Sequence, residues 1–178
     1  MKRLAAFMVL VVFLALAVTA QGNRIYVEDF EIEPGEYGCM PVLLTNVDPS
    51  RGLQFNITLP IGLELEESEL TPYARGKKMF LSSNFSPKDG CYTVFIYPMG
   101  TICFPADTTA AVMTMTLKAR ETFKGGTISA WKCRGATADN KTIYMEGDTA
   151  RVTVPESALV GVPIDSKSDD GGFFNLND

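Results

Sequence analysis

The chain has 178 residues, 46% of them hydrophobic, with 16 basic residues, 21 acidic ones and no histidine. An acidic surface repels phosphate backbones and matches anionic lipid headgroups poorly, which argues against nucleic acid and lipid surfaces as partners. Without histidine, Ser-His-Asp and Cys-His catalysis and a His-completed zinc shell are out of reach.

In chain order, MKRLAAFMVLVVFLALAVTAQG comes first: Lys2 and Arg3, an apolar run from Leu4 to Val18, then the small residues Val18-Thr19-Ala20 before Gln21. The run falls short of the roughly 20 residues a membrane span needs, so residues 1–20 read as a signal peptide. The mature chain, from 21 on, is then secreted, periplasmic or cell-surface, with no membrane span; it carries 14 basic against 21 acidic residues, a formal charge of −7. Cys39, Cys91, Cys103 and Cys133 form an even set, which in an exported chain points to two disulfides, and none shows C-x-x-C spacing.

Short strand-like runs follow with turns between them. RIYVEDFEI (24–32) leads into the turn EPGEYG, and CMPVLLT (39–45) sets Met40, Val42 and Leu44 on one face, with Pro41 marking an edge or a bulge. RGLQFNITLP (51–60) alternates Leu53, Phe55, Ile57 and Leu59 with Gln54, Asn56 and Thr58, the pattern of a half-buried strand. LELEE begins the next strand, and residues 67–78, broken by Pro72 and Gly76, read as a loop with room for one helical turn. KMFLSSNF (78–85) and CYTVFIYP (91–98) flank the hairpin connection SPKDG. AAVMTMTLKA (110–119) alternates Met113, Met115 and Leu117 with Thr114, Thr116 and Lys118; GGTISAWKC and KTIYMEGDTARVTV close the ordered part. About nine strands and no long helix after residue 20 predict an all-β, two-sheet sandwich over 21–154. Residues 155–178, rich in Ser, Asp, Gly and Pro, read as a linker or disordered tail.

Gly35 in EPGE, MPVLLTNV, RGLQFNITLP with GLELEE, AAVMTMTLKA and the closing GDTARVTV, in that order over residues 24–154, resemble the cohesin fold and its carbohydrate-binding-module relatives in bacterial polysaccharide-degrading systems. Leu59-Pro60 stands where cohesins usually carry Tyr-Asp, and four cysteines are not typical of scaffoldin cohesins. The resemblance implies a nine-stranded jelly-roll sandwich of two antiparallel sheets, ordered 8-3-6-5 and 9-1-2-7-4 in the family's count. It also implies the pairings Cys39 with Cys91 and Cys103 with Cys133, each worth about 3 to 4 kcal/mol.

Within that order, the strand of Gln54, Asn56 and Thr58 lies between one that turns out Thr93, Phe95 and Tyr97 and one that turns out Trp131. Amides and hydroxyls flanked by aromatic planes suit a polysaccharide or a partner protein. Exposure is expected for Gln54 and Asn56. Trp131 is open between this face and the core, and the usual burial of tryptophan tilts the expectation to the core.

No catalytic residue, metal or cofactor is assigned. Glu64 and Glu66 fall about 7 Å apart on one strand, within the spacing of a glycosidase pair, but charge on an edge strand has the plainer role of blocking edge pairing. DSKSDDG (165–171) lacks the glycine and glutamate of a calcium loop. Asp-Thr at Thr108 and Thr149 resembles bacterial O-glycosylation acceptors; the signal, the cysteines and the sequons at Asn56, Asn84 and Asn140 would also suit an immunoglobulin domain, but Trp131 sits too late for that. The reading is a non-catalytic binding module that takes a polysaccharide or a dockerin-type partner; the alternative is a structural adhesion or spacer domain.

Overall fold

The computed structural model describes residues 22–156, so the predicted signal peptide and all but the first two residues of the predicted tail lie outside it. Twelve strands and one short helix follow in order: β1 (Arg24–Tyr26), β2 (Phe30–Glu31), β3 (Tyr37–Asn46), β4 (Gly52–Thr58), β5 (Leu63–Leu70), α1 (Pro72–Gly76), β6 (Met79–Ser86), β7 (Cys91–Pro98), β8 (Thr108–Ala119), β9 (Gly126–Ala136), β10 (Thr142–Tyr144), β11 (Glu146–Gly147) and β12 (Thr149–Thr153). One sheet runs β11-β1-β3-β8-β5; the other runs β2-β12-β9-β4-β7-β6, with β10 also on β9. The expected order 8-3-6-5 is present as β9-β4-β7-β6, and 1-2-7-4 as β1-β3-β8-β5.

The ends of the chain depart from nine antiparallel strands. RIYVEDFEI breaks after Tyr26, so β1 joins one sheet and β2 the other; the closing segment breaks likewise between β11 and β12. Both segments cross between the layers in the same sense, so the pairs β1–β11 and β2–β12 are parallel. The second crossing is tight: a Cβ on Gly147 would stand 2.1 Å from the Ala130 carbonyl oxygen, so only glycine fits.

Alternation sorts the rest. Met40, Val42 and Leu44 of β3 and Met113, Met115 and Leu117 of β8 face Phe55 and Ile57 of β4, Val94 and Ile96 of β7 and Ile128 of β9, all buried. These two inner faces form one dry seam, the main favourable term in folding. Pro41 sits in a strand with a neighbour on each side, yet β1 pairs only with Leu43 to Thr45, so the side of β3 beside Pro41 is locally an edge. A bulge opposite Val42 and Leu43 leaves Val112 of β8 unpaired. Thr71 exploits it: its backbone N–H donates to the Val112 carbonyl, and its hydroxyl donates to that of Ala111 at 2.6 Å while accepting from Ala74 N–H as the N-cap of α1. The helix closes this end of the sandwich with buried Ala74 and with Tyr73, whose ring stacks on buried Phe104 at 6.0 Å.

Candidate functional site

The site is the outer face of the β9-β4-β7-β6 sheet. With Leu53, Phe55 and Ile57 directed inward, period two turns Gln54, Asn56 and Thr58 outward. Register sets Gln54 between Phe95 and Arg134, Asn56 between Thr93 and Trp131, and Thr58 opposite Ser129. Strand β6 adds Phe80 opposite Tyr97, Ser82 opposite Phe95 and Asn84 opposite Thr93. All seven residues expected on this face therefore lie on its outward register.

Trp131 is settled by a bulge. Pairing shifts between Gln54 and Asn56, and Lys132 takes a φ of 52°, so one residue of β9 is left over. Trp131 and Arg134 are three apart and would face opposite ways in a regular strand; the bulge turns both outward and sends Cys133 into the core. Trp131 is half-buried there, not in the core as tryptophan's habit suggests. Its indole N–H donates to the Thr58 hydroxyl at 3.0 Å, and the Lys132 ammonium stands 4.6 Å from the ring.

Asn56 corrects the expectation of exposure. It is only 7% exposed, because it lies on a central strand with Thr93 on one side and, on the other, an indole that reaches along β4 to Thr58. Of the three sequon asparagines, Asn84 and Asn140 are exposed and Asn56 is not.

The accessible part of the face lies toward Gly52. A shallow groove of about 270 Å³ has Gly52, Gly135 and Ala136 among its lining, with Phe95 and Tyr97 to one side, Arg134 and Thr142 to the other and Gln54 between. A side chain at Gly52 would meet the Ile96 carbonyl oxygen at 3.2 Å, so small residues keep the groove open. Phe80 (43% exposed) and Tyr97 (48%) stack at 6.0 Å, and the Arg134 guanidinium stands 5.9 Å from the ring of Tyr144, itself 78% exposed. Three of the seven expected residues, Gln54, Phe95 and Tyr97, line this groove; Asn56, Thr58, Thr93 and Trp131 lie farther along the sheet. Phe80, Arg134, Thr142 and Tyr144 escaped the sequence reading. The period-two row Phe80, Ser82 and Asn84 on one face of its strand could have shown Phe80, whereas Arg134 depends on the bulge.

The expected disulfides are not formed: all four thiols are free. Cys39 lies 3.9 Å from the hydroxyl of its pairing partner Thr116 and is exposed on the outer face of one sheet, while Cys91 holds the outward register of the other, so two layers about 10 Å apart separate them. Cys103 is half-buried in the loop before Phe104, with its thiol donating to the Thr101 carbonyl, and Cys133 is in the core. Burial pushes the Cys133 thiol up to about 12; it also raises that of Cys91, with Asp89 adding to the rise and Lys132 opposing it. Glu64 and Glu66 are not a matched pair either, since a bulge leaves Glu66 without a partner on β8 and Glu64 accepts from Arg120 Nε at 2.5 Å. Among the described residues no three His, Cys, Asp or Glu side chains cluster as metal ligands, and no helix is long and apolar enough to cross a membrane.

No protein-family model matches the chain, and no curated protein matches its sequence. Solved structures do. The cohesin of a type I cohesin–dockerin complex from Clostridium thermocellum aligns with a TM-score of 0.63 at 17% identity, over 75% of this chain and 99% of that one. A non-cellulosomal cohesin from the hyperthermophilic archaeon Archaeoglobus fulgidus aligns at 0.60 and 13% identity, over 78% and 96%. A cohesin module from a Clostridium perfringens family 33 glycoside hydrolase aligns at 0.59 and 13%, over 75% and 97%. The fold is a cohesin-like β-sandwich.

Proposed function

We propose that this chain is an exported, non-catalytic recognition module that seats a partner protein on the outer face of the β9-β4-β7-β6 sheet. The observation that carries this reading is the composition of the face: Phe95 and Tyr97 stand exposed beside Gln54 and Arg134 around an open groove, with exposed Phe80 stacked on Tyr97, and aromatic and arginine side chains are the usual anchors of protein interfaces. The neighbour from Clostridium thermocellum was solved with a dockerin, which supports a dockerin-like protein as the class of partner. Residues 1–20 act as the leader in this reading, and residues 155–178 as a linker or tail.

A non-catalytic role agrees with the absence of histidine and with the engagement of Glu64 by Arg120. The test compares the exported chain with Phe95→Ala/Tyr97→Ala on two sets of probes, the purified secreted proteins of its source and insoluble polysaccharides. A protein ligand whose affinity falls at least ~10-fold in the variant, as loss of interface anchors predicts, supports the reading. Binding to polysaccharide alone would replace it with sugar recognition, and no ligand of either kind would leave the structural spacer.

A further inference from the structure

The open sheet edges are managed unequally. Edge strands β11 and β2 have only two residues each; β5 carries Glu64, Glu66, Glu67 and Glu69 and a bulge. Short length, charge and bulges are the usual protections against edge pairing. Strand β6 has none of them: its eight residues, Met79–Ser86, hold no charge and no proline, pair with β7 without a bulge, and expose Phe80 at 43% and Phe85 at 54%. Its other edge pairs with no strand among the described residues.

We infer that β6 pairs antiparallel with β6 of a second copy about a two-fold axis, extending the sheet through both molecules. The axis must keep outer face with outer face, and centring it on Ser83 does so: Ser82 then stands opposite Asn84 of the second copy on the outer side, and Leu81 opposite Phe85 on the inner side. Both are favourable cross-strand pairs, one polar and one apolar. The charge on the side wall fits the same operation. Strand β5 lies behind β6 in the other layer, tied to it by the Ser68 and Ser83 hydroxyls at 2.8 Å, and a groove of about 460 Å³ between them is lined by Glu69, Leu70, Arg75 and Leu81. Exposed Arg75, 3.7 Å from Glu69, stands at the Leu81 end. Glu66 and Glu67, exposed and without an ion pair among the described residues, precede Ser68 toward the Phe85 end. A two-fold axis turns the Arg75 end of each wall onto the Glu66–Glu67 end of the other and brings Arg75 toward Glu67 of the second copy. Such isologous contacts are the commonest route to a dimer. The inference does not rest on the partner-protein reading, because only the edge is used and both recognition faces stay open.

The test is analytical ultracentrifugation of the exported chain, with hydrogen exchange on the same samples. The expected result is a monomer–dimer equilibrium in which β6 amides slow as concentration rises. Ser82→Lys/Asn84→Lys, which places like charges opposite one another at half-buried Ser82 and exposed Asn84, abolishes the dimer without lowering the thermal midpoint at concentrations where the unaltered chain is itself monomeric. Glu67→Lys and Arg75→Glu each weaken association roughly tenfold, since two symmetric contacts are lost at once, and together restore it. A chain that stays monomeric, a dimer indifferent to the lysine pair, a charge swap that fails to restore, or β6 amides that ignore concentration would each overturn the inference.

Discussion

Lys132 holds a φ of 52°, a left-handed conformation that costs a residue with a Cβ about 1 to 2 kcal/mol, and in return Trp131 and Arg134 share one face of the sheet. Lys132→Gly is therefore expected to leave stability unchanged or raise it by up to ~1 kcal/mol, whereas Lys132→Val, β-branched, lowers it by about as much; urea denaturation reads both. The thiols divide in the same local way. Cys39 is exposed and Cys103 half-buried, so both react with a thiol reagent in the folded state, whereas Cys91 and Cys133 react only on unfolding. Cys133 also makes stability depend on alkaline pH. Its folded value near 12 stands above the ordinary 9.0, so between those limits the folded chain keeps a proton that the unfolded chain releases. Stability therefore falls as pH rises through that window and is unaffected by this group below it. Cys133→Ala removes that part of the slope, seen as the difference between the two proteins' denaturation midpoints from pH 8 to 11.

Strand β4 shows how much an element reveals by itself. The alternation of Leu53, Phe55 and Ile57 with Gln54, Asn56 and Thr58 gives both the strand and its faces, because burial on one side of a pleated ribbon has period two. Exposure is a different quantity from facing, and Asn56 separates them: its direction follows from alternation, its burial from a tryptophan 75 positions later in the chain. The bulges at Lys132 and Val112 are invisible in the same way, since neither residue type signals one. By contrast, Thr71-Pro72 announces a helix start through local chemistry, a hydroxyl cap followed by a proline whose missing N–H is no loss there. Phe55→Ala is expected to cost 3–5 kcal/mol as an unfilled cavity under the sheet, and Thr71→Ala about 1 to 2 kcal/mol through the lost cap and the bare Ala111 carbonyl. Equilibrium denaturation orders the two, and a smaller loss for Phe55→Ala would contradict its place in the core.

At the scale of the molecule, the order of eight strands was legible through the resemblance to cohesins that motifs such as EPGE, RGLQFNITLP and AAVMTMTLKA carry. The layer swaps near the termini were not, since they hinge on where a short segment leaves one sheet for the other, as at Gly147. The disulfide expectation failed at this scale too: an even cysteine count cannot show that Cys39 and Cys91 face away from each other across two layers. The resulting sandwich has two unlike outer faces, one with Phe95, Tyr97 and Arg134 around a groove and Phe80 stacked on Tyr97, the other with Thr114, Thr116 and Lys118 along β8. The most direct test of the claim that the first is a protein-recognition face is site-specific photocrosslinking in the cell, with a benzophenone side chain at Gln54 or, as the opposite-face control, at Thr116. A discrete protein adduct from Gln54, abolished by Tyr97→Ala and absent from Thr116, is the predicted result. Adducts from Thr116 alone, or none from Gln54, would contradict it.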